Sequence, residues 1–168
     1  MNNKKSQAWG IDLMAASAIF SVALVVFFVY SINQSGEARS IVEDLLYDGK
    51  VVSNSLLSTG YPNDWTEANV IKIGVTNNDK INNTKLKRFY DLAQADYAKT
   101  KSTFSIKYDY YFFLEDNMTI DSELVDGIGK PGTSRTNLTD KSKNLIKITR
   151  FTIYEDKPTT AYVYIWGE

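Results

Sequence analysis

The chain has neither cysteine nor histidine among its 168 residues. Without thiols there is no disulfide, no iron–sulfur cluster, no thiolate nucleophile and no cysteine-ligated zinc. Without imidazole, Ser-His-Asp triads, the usual zinc hydrolase sites and histidine acid–base catalysis are excluded as well. Proline is scarce, three residues in all with the first at Pro62, so no ring interrupts a helix in the first third of the chain. Neither sign of charge predominates. Nineteen Lys and Arg against twenty Asp and Glu leave a formal net charge of −1, which provides no electrostatic basis for binding nucleic acid. What is present, 43% apolar and 13% aromatic residues, suits a chain that folds and buries a core.

The apolar residues are concentrated near the N-terminus. From Leu13 to Tyr30 the sequence LMAASAIFSVALVVFFVY carries no charge, and at 1.5 Å per residue a helix of that length spans roughly 27 Å. It ends in Phe27, Phe28, Val29 and Tyr30 rather than at a small-residue cleavage site, which distinguishes it from a secretory signal peptide. Lys4 and Lys5 precede it and Glu37, Arg39, Glu43, Asp44 and Asp48 follow, so the positive-inside bias puts the N-terminus in the cytoplasm and the rest of the chain outside.

Beyond the span, Ala38, Ile41, Val42, Leu45, Leu46, Gly49, Val52, Leu56 and Leu57 recur at spacings of three and four, an amphipathic stripe. The pattern predicts one helix over 11–58, apolar all round at first and one-sided later, ended by Gly60, Tyr61 and Pro62. Alternation in Ile71, Ile73 and Val75 predicts a strand over 69–76, followed by a turn at Thr76 to Asp79. A helix is expected over 84–102, broken near Gln94, with Asn83 or Thr84 as N-cap.

Residues 105–115 read as a strand with two aromatic faces. One would be covered by the outer part of the long helix, the other by a neighbouring subunit or the short helix. Two further strands, 145–154 and 159–166, are joined by a four-residue loop, Glu155 to Pro158, and a phase shift in the first predicts a bulge near Thr149 or Arg150. Gly127 to Asn144 reads as an exposed loop. The fold class is therefore α+β: a long N-terminal helix packed on a mainly antiparallel sheet with one or two short helices.

A short basic leader, an apolar helix that continues as an amphipathic one, and a β-rich head together resemble the type IV pilin family, specifically its archaeal pilin-like members with a class III signal peptide. The resemblance covers the whole chain as architecture and Lys4 to Met14 as motif. It implies a prepilin peptidase cutting between Ser6 and Gln7, with Gly10 and Ile11 as the rival site. The leader is then 1–6 (1–10 with the rival), the apolar helix 7–36, and the extracytoplasmic head 37–168, which includes the amphipathic half-helix 37–58.

A carboxylate at the edge of an apolar span is costly unless it pairs or reaches the interface. Two readings of Asp12 stand. The resemblance implies pairing with the N-terminal amine of an adjacent subunit; alternatively the side chain snorkels to cytoplasmic water beside Trp9.

The expected function is that of a structural subunit of a pilus-like filament or pseudopilus, with membrane lipid, copies of itself or other pilin-like subunits, and the peptidase as partners. It needs no cofactor and no catalytic residue. The alternative is a monomeric single-span anchor presenting an extracytoplasmic binding domain. Four N-glycosylation sequons begin at Asn33, Asn82, Asn117 and Asn137, all beyond the span, with Asn137 favoured for its place in the loop. Glu115, Asp116, Asp121, Glu123 and Asp126 fall within twelve residues but match no EF-hand, so a solvated acidic loop is the better reading than a calcium site. Tyr108 to Phe113 read as sheet packing rather than a stacking platform, because Lys107 is the sole adjacent cation.

Overall fold

The computed structural model describes residues 3–138 and 144–167, without the side chains of 3–8 and 33–39. Its elements are α1 (Asn3–Leu56), β1 (Thr76–Asn77), β2 (Lys80–Ile81), α2 (Asn83–Ala95), α3 (Tyr97–Phe104), β3 (Asp109–Leu114), β4 (Met118–Ile120), β5 (Glu123–Val125), β6 (Ile128–Gly129), β7 (Asn144–Tyr154) and β8 (Lys157–Gly167). This is an α+β chain. It divides into two compact units, one reaching Ile41 and the other running from Val42 onward.

In the first unit the helical residues from Trp9 to Ile32 are exposed all round. They form a stretch long and apolar enough to cross a membrane.

In the second unit, β1-β2-β7-β8-β3-β6 form a mixed sheet, antiparallel except between β2 and β7, while β4 and β5 pair separately. One face of the large sheet carries Tyr110, Phe112 and Leu114 of β3, Ala161, Val163 and Ile165 of β8, and Ile146 and Ile148 of β7. The last turns of α1 bury Leu45, Val52 and Leu56 in that cluster, as the stripe requires. Gly49 faces Ile148 and Ile165, and a β-carbon there would stand 2.8 Å from Ile148 Cγ1. The missing side chain sets how near the helix lies to the sheet. Asp48, 7% exposed, accepts from the backbone N–H of Lys107 (2.9 Å) and Tyr108 (3.1 Å), fastening α1 to the residues that lead into β3. Helices α2 and α3 cover the same face: Phe89 stacks on Tyr110 at 6.3 Å and Phe104 meets it edge-on at 5.4 Å.

On the second face of the sheet the aromatic patch at β3 and the end of β8 is covered by the chain's own polar segment, while Lys147, Thr149 and Phe151 of β7 are exposed. Tyr111, Phe113 and Trp166 bury there with Leu138, and Arg135 lies 4.7 Å over the Phe113 ring. Residues 127–138 are therefore not the exposed loop that composition suggests; 139–143 lie outside the described residues.

Other local expectations are revised. The segment 69–75 forms no regular strand, and only Thr76 enters one, β1; the N–H groups there go elsewhere, Val75 donating to the Leu56 carbonyl at 2.8 Å and Thr76 to that of Ser58 at 3.1 Å. The β7–β8 register runs unbroken from Asn144↔Gly167 to Tyr154↔Lys157, so the phase shift is an exposed Phe151 and not a bulge. The connecting loop is two residues, Glu155 and Asp156, both at positive φ. The N-cap of α2 is Asn82, and the helical run breaks at Asp96, whose side chain caps α3.

Gly60 has φ +74, and a β-carbon there would fall 2.7 Å from the Trp65 ring, which explains why glycine stands where the chain leaves α1.

Candidate functional site

Asp12 lies on α1 with its side chain exposed, inside the stretch from Trp9 to Ile32. Gly10 has nothing within 4 Å of the place a β-carbon would occupy, and Ile11 is exposed. Ser6, Gln7 and Asn33 are helical, but their side chains lie outside the described residues.

The other three sequons are placed differently from one another. Asn82 is held by its capping bond, its Oδ1 accepting from Lys85 N at 3.1 Å, and Asn83 and Thr84 already belong to α2. Asn137 is half-buried with both amide atoms engaged: Oδ1 accepts from Ser134 N at 2.8 Å and Nδ2 donates to the Gly132 carbonyl at 3.3 Å. Asn117 is exposed in the residue just before β4, and along 117–120 burial alternates, with Met118 and Ile120 buried and Asn117 and Thr119 exposed.

The acidic residues of 115–126 are dispersed rather than convergent. Asp121 pairs with Lys87 at 2.6 Å. Asp126 is engaged by Arg135 at 3.0 Å and by the Tyr111 hydroxyl at 3.0 Å. Arg135 also donates to the Glu115 and Asp116 carbonyls, so one guanidinium ties the covering segment to the end of β3. Among the described residues no group of three metal-ligating side chains gathers. Burial, and then the Asp126 charge, push the Tyr111 hydroxyl up from its ordinary value.

Two polar clusters escaped the sequence. At the start of β3, Asp109 receives Lys101 at 3.0 Å, Lys130 at 2.6 Å and the Tyr97 hydroxyl at 3.2 Å. Burial alone would raise the Asp109 pKa, but the two ammonium groups outweigh it and hold the carboxyl below its ordinary range. Lys85, 4% exposed, sends its ammonium into neutral oxygens: the Thr59 carbonyl (2.7 Å), Asn77 Oδ1 (2.6 Å), Asn63 Oδ1 (3.1 Å) and the Thr76 carbonyl (3.3 Å). Burial first, then Arg88 nearby, lowers its pKa. Both clusters join different elements of the second unit, so their geometry is that of internal fasteners.

One open groove of about 340 Å³ lies where α2 meets the β4–β5 hairpin and the β7–β8 turn. Thr84, Lys87, Thr119, Asp121, Ser122 and Glu155 line it. Hydroxyls, carboxylates and one ammonium suit a hydroxylated ligand better than an apolar one. The hydroxyl-bearing residues of two sequons, Thr84 and Thr119, both face this groove. No sequence signal marks it, because three separated segments build it.

Comparison with known proteins yields no family model, no curated protein and no solved structure that matches this chain.

Proposed function

We propose that the chain is a membrane-anchored structural subunit, a type IV pilin-like protein whose apolar helices bundle into a filament or pseudopilus while the α+β unit stays outside the membrane. The observation that carries this reading is the division of labour along α1. Its residues from Trp9 to Ile32 expose an all-round apolar surface, whereas Leu45, Val52 and Leu56 are buried in the core of the second unit. An exposed apolar surface of that extent needs lipid or other helices around it. The small residues Ala15, Ala16, Ser17, Ala18, Ser21 and Ala23 favour close approach of such helices. In the proposed assembly Asp12 pairs with the N-terminal amine of a neighbour and sets axial register.

A second reading, a monomeric anchor with an extracytoplasmic binding domain, is favoured by one observation: both aromatic faces of β3 are buried by the chain itself. The two separate in membranes. Recovered protein should begin at Gln7 or Ile11, and Asp12→Ala should insert normally while crosslinked oligomers or sheared filaments fall sharply relative to total protein. A chain beginning at Met1 with no oligomer in the wild type would favour the lone anchor, and equal assembly in the variant would remove the Asp12 pairing.

A further inference from the structure

We propose that Asn117 is the N-glycan acceptor of this chain, its amide exposed in the residue that leads into β4 and the Thr119 hydroxyl exposed on the strand itself. The proposal rests on the extracytoplasmic placement of residues 37–168 in the reading above.

A glycosyl transferase acting on Asn-X-Ser/Thr needs the asparagine amide and the hydroxyl two residues on accessible together at the surface. Extended backbone favours this, because residues i and i+2 project to the same side about 6.6 Å apart. A helix does not, because residues two apart point about 200° away from each other around its axis.

The sequon at Asn117 meets the condition: Asn117 and Thr119 are exposed while Met118 between them is buried. Neither of those two side chains makes a hydrogen bond among the described residues, so neither must be released before reaction. Asn82 fails, since its Oδ1 caps α2 and its Thr84 lies in the first helical turn. Asn137 fails, since both atoms of its amide are bonded within the segment 132–137.

In the transfer, Asn117 Nδ2 forms a bond to the anomeric carbon of a sugar carried on a polyprenyl phosphate or pyrophosphate. The bond from that carbon to the phosphate oxygen breaks, the lipid phosphate departs with the electron pair, and an amide proton passes to a base on the transferase. The product keeps the Asn117 carbonyl oxygen and one N–H. The groove lined by Thr119, Lys87, Asp121, Ser122 and Glu155 lies beside the acceptor, and its polar groups suit the hydroxyls of the attached sugars.

The test uses the full chain, purified in detergent and folded, incubated with an oligosaccharyltransferase and its lipid-linked oligosaccharide, with glycopeptides mapped by mass spectrometry. The glycan should map to Asn117, the gel shift should be lost in Asn117→Gln and Thr119→Val, and Thr119→Ser should retain it. Melting of Asn117→Gln should match wild type, so that loss of the glycan reports the acceptor and not unfolding. A shift that persists in Asn117→Gln, a glycan mapped chiefly to another sequon, or a bare Asn117 would overturn the proposal. The same mapping on chain recovered from membranes of a host with that transferase tests the placement separately. Asn117 glycosylated in detergent but bare in those membranes refutes the extracytoplasmic reading and leaves the acceptor assignment standing.

Discussion

Gly49 offers a test in which two physical effects predict opposite signs. By helix propensity alone, Gly49→Ala inside α1 should stabilise by about 1 kcal/mol. The contact with the sheet argues otherwise. The added β-carbon would stand 2.8 Å from Ile148 Cγ1, 3.3 Å from Ile165 Cγ1 and 3.4 Å from Ile148 Cδ1. These atoms belong to branched side chains on adjacent strands, Ile165 being fully buried, so they have little room to retreat. Inserting a methyl into a filled site costs about 1–3 kcal/mol, so the balance is a net loss of about 1 kcal/mol, growing past about 2 kcal/mol for Gly49→Leu. For a unit of this size that loss lowers the melting temperature by about 3–5 °C per kcal/mol. The assay is urea and thermal unfolding of a soluble fragment beginning at Glu37. Lys50→Gly and Lys50→Ala, at the exposed neighbouring position, measure propensity without the contact. If Gly49→Ala proves as stable as wild type, or more so by the propensity gain, then the helix does not approach the sheet this closely and the packing argument fails.

Two further outcomes follow from the polar clusters. Lys85→Met keeps the buried stem but leaves the Thr59 and Thr76 carbonyls and the Asn63 and Asn77 amides without their donor. It should cost roughly 1.5–3 kcal/mol, the worth of hydrogen bonds to a charged group, in the urea midpoint at constant slope; an unchanged midpoint would show the cradle to be idle. Asp109 has a folded pKa held below its ordinary value, so its pairing with Lys101 and Lys130 stabilises fully above the ordinary carboxyl range and is lost as pH falls through the folded pKa. The stability gap between wild type and Asp109→Asn should therefore be widest near neutrality and narrow in acid, and parallel pH curves for the two proteins would contradict the assignment.

Much of this architecture is legible because it rests on long, strongly periodic segments. The stripe from Ala38 to Leu57 spans several turns, and its apolar members include the residues found buried, Leu45, Val52 and Leu56. The long strands β7 and β8 and the core of β3 are likewise marked by β-branched and aromatic runs. The turns at 76–79 and 155–158 are legible as turns, but their length and type are not. Asn78 with Asp79, Asp121 with Ser122, and Glu155 with Asp156 all take two consecutive positive φ values. That geometry belongs to two-residue hairpins, whose usual sequence mark is Asn-Gly or Asp-Gly, and none of these pairs contains glycine. The alternation over Ile71 to Val75 reflects burial of Ile73 and Val75, but its backbone bonds go to the end of α1, and no pattern of side chains reports where an N–H is spent.

The covering of the second sheet face was illegible for a related reason. A polar segment with one buried leucine and one arginine over a phenylalanine has no periodicity to detect, yet Leu138 and Arg135 suffice to close the cluster of Tyr111, Phe113 and Trp166. This bears on assembly. Two aromatic faces on one strand invite the inference that a second copy covers one of them, and that argument lapses once both are covered in cis. Under the proposed reading the apolar part of α1 brings copies together, in a region where helices compete with lipid. Packing of small residues and pairing of Asp12 then supply the selectivity that hydrophobicity alone cannot, because lipid tails are as apolar as the helix. Removing the carboxylate should consequently weaken assembly without weakening insertion, and the two effects separate because only the first requires a partner for the charge.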